Sequence, residues 1–94
     1  MIKYKIVKVT GNKREIAEVD SEEFTSIYSA RKKFNSIDVY EELLKDWSET
    51  SEVIHKILIA QDAFLEYDLI EYDTDDEFYK INLGRKSMSF HNIM

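Results

Sequence analysis

Apolar positions in this chain change period several times, and each change predicts an element. In IKYKIVKV, Ile2, Tyr4 and Ile6 alternate with Lys3 and Lys5, the period of a half-buried strand. Gly11-Asn12-Lys13 reads as a turn, because Gly and Asn tolerate positive φ. REIAEVD then reads as the second arm of an N-terminal hairpin. Asp20-Ser21-Glu22-Glu23 has the spacing of a capping box, an N-cap acid with a glutamate three residues later. Phe24, Ile27, Tyr28, Arg31 and Phe34 follow at helical spacing, predicting a first helix that ends at Asn35-Ser36. Ser36 can cap a second helix with Ile37, Tyr40, Leu43, Leu44 and Trp47 on one face.

A third helical stripe is formed by Val53, Ile54, Ile57, Leu58 and Gln61 after the break at residues 48–51. Beyond it two readings compete. One continues the helix through Leu65, Leu69 and Tyr72. The other makes LEYDLIEY and EFYKINL two strands joined by Asp73-Thr74-Asp75-Asp76. Tyr and Ile favour strands and the polar link suits a hairpin, so the second is preferred, with Asp68 as its cost. The expected fold class is therefore α+β. An N-terminal β-hairpin, two to three central helices and a C-terminal β-hairpin would pack as one small two-layer domain over residues 1–86. Phe24, Tyr28, Leu43, Trp47, Ile54 and Leu58 would face the sheet. Residues 87–94 form a C-terminal tail, either docked or loose.

Size supports this picture. Ninety-four residues make one domain, and 44% hydrophobic content is enough for one core. With no cysteine, disulfides, thiolate nucleophiles and cysteine zinc sites are excluded, and a reducing compartment fits. The N-terminus is charged throughout and the longest apolar run is far short of a membrane span, so the chain reads as cytoplasmic. Eleven isoleucines and ten lysines against four alanines, three arginines and no proline suggest an AT-rich coding sequence, as in low-GC bacteria, their phages and mobile elements.

Charge is distributed unevenly. Residues 1–14 carry five basic groups and no acid, whereas residues 34–80 hold fourteen acids against three lysines. The densest stretch is EYDLIEYDTDDEFYK, with seven carboxylates before Lys80. Such a field repels nucleic acid and attracts basic surfaces.

Several chemistries fail on residue identity. Asp73, Asp75 and Glu77 open like a calcium loop, but its glycine and terminal glutamate positions hold Phe78 and Gly84. His55 and His91 are not spaced as a metal pair, and no G-x-S-x-G or phosphate-binding glycine loop is present. Helix-turn-helix recognition would present Glu49 and Glu52 to phosphates, the wrong sign despite Arg31-Lys32-Lys33 and Arg85-Lys86. No catalytic residue, metal or cofactor is nominated.

The expected function is instead a non-enzymatic acidic binding protein, a phage or mobile-element inhibitor of a host protein. Glu66, Asp68, Glu71, Asp73, Asp75, Asp76 and Glu77, with Tyr72 among them, would present carboxylates at phosphate-like spacing to a basic site on a nucleic-acid-handling protein. Tyrosines interleaved among them would serve as interface anchors. The alternative is an assembly module that forms a homodimer or docks through the apolar tail residues Phe90, Ile93 and Met94.

Overall fold

A computed structural model describes residues 1–11, 16–48 and 64–89. Four strands and two helices follow in the order β1 (Ile2–Gly11), β2 (Ile16–Phe24), α1 (Ile27–Ser36), α2 (Val39–Ser48), β3 (Phe64–Asp73) and β4 (Asp76–Ser89). The strands form one antiparallel sheet in the order β2-β1-β3-β4. Both expected hairpins are present, and β1 and β3 join them along a central seam.

The architecture is mostly β, which corrects the α+β expectation. Two ten-residue helices lie against a sheet whose strands run from nine to fourteen residues. The third helix read at residues 51–62, with the core roles given to Ile54 and Leu58, lies outside the described residues, and for Trp47 only the backbone, within α2, is described. Among the described residues no helix is long and apolar enough to cross a membrane.

The largest local correction concerns residues 20–24. Their capping-box spacing predicts a helix start, yet they continue β2. Glu22 pairs with Ile6, Glu23 with Lys5 and Phe24 with Tyr4. Cross-strand ladder bonds and the opposite charge at Lys5 outweigh a local capping preference. The real cap is Ser26, whose Oγ accepts from the Ser29 N–H at 3.4 Å. Ala30 and Phe34 then form the buried face of α1. At 100° per residue Tyr28 points away from them, and it is 74% exposed rather than core.

A parallel correction applies to α2. Ser36 does not cap it; its hydroxyl donates back to the Lys33 carbonyl at 2.6 Å. Asp38 is the cap, accepting from the Glu41 N–H at 3.2 Å. Val39 and Leu43 are the buried i, i+4 pair of this helix, and Tyr40 is exposed.

The core lies between the helices and one sheet face. Ile6 on β1 and Leu65, Tyr67 and Leu69 on β3 meet Ala30, Phe34, Val39 and Leu43. These strand residues alternate along their chains and share one face. The β4 backbone comes close to α1 at Gly84, where a Cβ would stand 3.1 Å from Phe34 Cε1. Two residues on, Lys86 Nζ donates to the Phe34 carbonyl at 2.8 Å and the Ile37 carbonyl at 3.0 Å. The Phe34 carbonyl also accepts from the Ile37 N–H of the helix cap at 3.2 Å, so the strand side chain adds a charged donor at the C-terminal end of α1.

Candidate functional site

The acidic stretch spans β3, the turn at Thr74 and Asp75, and the start of β4. Strand alternation divides its carboxylates between two faces and a tip.

Glu66 and Asp68 occupy the sheet face opposite the core residues Leu65, Tyr67 and Leu69. Asp68 is buried and sits directly across from Arg85, whose Nε donates to Asp68 Oδ1 at 2.8 Å. The same Nε is 3.4 Å from Glu66 Oε1. An acid inside a strand is costly unless paired, and the cross-strand arginine supplies the pair. Burial, and then the neighbouring Asp68 carboxylate, push the Glu66 carboxyl above its ordinary value despite Arg85. Tyr72 lies on this same face. Its ring stacks under Lys5 Nζ at 5.2 Å, and partial burial followed by a hydrogen bond with Glu23 raises its hydroxyl pKa.

Glu71 faces the other way. Its Oε2 accepts from the Tyr79 hydroxyl at 2.6 Å, which raises the Tyr79 pKa. Four of the eight residues nominated from sequence, Glu66, Asp68, Glu71 and Tyr72, are therefore engaged within the sheet.

The structure brings the other four, Asp73, Asp75, Asp76 and Glu77, together at the hairpin tip. There the Met1 ammonium lies 2.9 Å from Asp73 Oδ1 and 2.6 Å from Asp75 Oδ2. This contact holds the Asp73 carboxyl below its usual range and raises the ammonium pKa. The Thr74 N–H donates to the Met1 carbonyl at 2.9 Å, and the Asp75 N–H to Asp73 Oδ1 at 2.9 Å. Asp76 Oδ1 accepts from the Phe78 N–H at 3.0 Å. The turn is thus fixed by its own acids, while the Asp75 side chain remains 82% exposed and Asp76 and Glu77 stay in solvent.

Beside these acids is a residue that sequence reasoning missed. Phe78 is 89% exposed, the most exposed of the large hydrophobic side chains among the described residues. Pairing is irregular here: Tyr72 faces Lys80 and Asp73 faces Asp76, so residues 77–79 bulge from the ladder. Its only signal in the sequence is an aromatic directly after Asp-Asp-Glu. Among the described residues no three or more His, Asp or Glu side chains, those of the tip included, are arranged so that they could hold a metal ion. The tail residues Phe90, Ile93 and Met94 lie outside the described residues. No family model, curated protein or solved structure matches the chain.

Proposed function

We propose that the protein is a non-enzymatic binding protein that uses its acidic hairpin tip to occupy a basic site on a nucleic-acid-handling protein. The observation carrying this reading is Phe78, 89% exposed next to the solvent-facing carboxylates of Asp75, Asp76 and Glu77. An exposed aromatic costs solubility in the free protein and becomes an anchor when a partner desolvates it. Carboxylates around it steer the tip toward positive surface and speed association at low salt. The contacts between Met1, Asp73, Thr74 and Asp75 order the turn beforehand, so less conformational freedom is lost on binding.

The test is capture of partners from nuclease-treated bacterial lysate by the tagged protein, washed at rising salt. A basic nucleic-acid-binding protein should be retained and then elute as salt increases. Phe78→Ala and the pair Asp76→Lys with Glu77→Lys should each lose it while keeping the circular dichroism spectrum. Equal capture by these variants would remove the tip from the mechanism.

A further inference from the structure

Helix α1 carries a surface that neither the core nor the hairpin tip uses. From Phe24 to Ile37 the chain holds no acid, and Arg31, Lys32 and Lys33 follow one another. Only Ala30 and Phe34 of this helix are buried. Its other residues are all exposed, so α1 stands out from the sheet as a ridge. Among the described residues the Arg31, Lys32 and Lys33 side chains make no hydrogen bond or ion pair. Arg85 and Lys86, by contrast, are both engaged within the fold.

Successive helical residues turn by about 100°, which decides where these side chains leave the ridge. Ala30 and Phe34 mark its seated side. Tyr28, Lys32 and Asn35 lie opposite, along the crest, with Tyr28 74% exposed. Arg31 and Lys33 leave the crest on its two flanks, about 200° apart around the axis. A cation on each flank, with polar and aromatic groups between, suits a groove walled by two rows of anions. The major groove of B-form DNA is such a groove. It is about 12 Å wide, admits one α-helix and has a phosphate backbone along each rim. An anionic membrane is flat, so it would meet the crest without reaching both flanks.

We infer that α1 binds duplex DNA by lying in the major groove, with Arg31 and Lys33 on phosphates of the two strands and Lys32 between them. Phosphate contacts carry the affinity, so binding is largely independent of sequence. The chain's net charge of −6 opposes the approach of the duplex, which keeps the complex weak. This surface is built from other residues than the hairpin tip, and the inference does not rest on the reading of the tip given above.

Fluorescence anisotropy of a short labelled B-form duplex, titrated with the protein at low salt, should show saturable binding. The logarithm of the association constant should fall against the logarithm of salt with a slope of about −3, as for three phosphate contacts. Arg31→Glu with Lys33→Glu should weaken binding by more than about ten-fold at low salt while the circular dichroism spectrum stays unchanged. Lys3→Glu with Lys80→Glu makes the same change of charge away from α1 and should cost much less. Asp76→Lys with Glu77→Lys should retain the duplex or bind it more tightly. No binding of the duplex at low salt would overturn the inference. So would equal losses in the two charge-matched pairs, which would leave only net charge at work, or tighter binding of the single strand than of its duplex. Uptake by anionic lipid vesicles without any binding of DNA would also overturn it. The α1 pair leaves the tip intact, so it should still capture the tip's partner, whereas Phe78→Ala should lose that partner and keep the DNA.

Discussion

Lys86→Met isolates the contact that ties β4 to the end of α1. Methionine keeps most of the aliphatic stem, so packing over the Phe34 ring is largely preserved. Lost are two bonds from an ammonium, 2.8 Å to the Phe34 carbonyl and 3.0 Å to the Ile37 carbonyl, and a cation 5.1 Å from the ring centroid. A hydrogen bond to a charged group contributes about 1.5–3 kcal/mol. Lys86 is only half-buried and water can replace part of each bond, so roughly half the lower figure survives for each. A cation at a helix C-terminus adds about 0.3–1 kcal/mol. The expected loss is then about 2 kcal/mol, a large fraction of the ~5–10 kcal/mol available to a small domain. In urea, with a slope of about 1 kcal/mol/M, the midpoint should fall by about 2 M at unchanged slope. Lys80→Met, on the same strand but exposed, should move stability by less than ~0.5 kcal/mol. Equal midpoints for the two variants would refute the claim that β4 anchors α1 through this ammonium.

Leu69→Ala removes a fully buried side chain and should cost about 2–5 kcal/mol in urea or thermal unfolding, whereas Tyr28→Ala at a 74% exposed position should be close to neutral. Ser26→Ala should lower stability by about 1 kcal/mol with some loss of helical ellipticity, and Asp20→Ala should leave ellipticity unchanged, because Ser26 and not Asp20 caps α1. The Glu66 carboxyl is raised in the folded state, so the fold binds its proton more tightly than the unfolded chain does. Its contribution is fully present below the ordinary value of 4.5 and is lost as pH rises through the raised value. Glu66→Gln should flatten that part of the profile in urea midpoints taken from pH 4 to 8.

Period and turn chemistry made the two hairpins legible. Alternation in β1 and the polar link at residues 73–76 were strong enough to place them. The helix boundaries were not, because Asp20-Ser21-Glu22-Glu23 satisfies a local capping pattern and a strand ladder equally well. Only the long-range pairing with Tyr4, Lys5 and Ile6 decides between them. Burial at Asp68 was opaque for the same reason: its partner Arg85 is seventeen residues away and aligned by a register that includes a bulge. The acidic stretch was visible as composition, but its division into face-bound and tip groups required knowing which parity faces the core. Phe78 shows the limit most plainly, since nothing in an aromatic that follows Asp-Asp-Glu marks it as exposed until the ladder is seen to bulge around it.

The strand order β2-β1-β3-β4 also shapes how the chain reaches its fold. Each hairpin is local and can form within microseconds. The seam between β1 and β3 is not: it joins Ile2 to Asp73 and Ile6 to Leu69, across most of the sequence. The core is completed only when that seam closes, so the entropy of a long loop must be lost before Leu65, Tyr67 and Leu69 find their cover. Folding is therefore a docking of two hairpins, slower than a helical protein of this length. Substitutions at Ile6 or Leu69 should slow folding itself, while those at the hairpin tip should act mainly on unfolding.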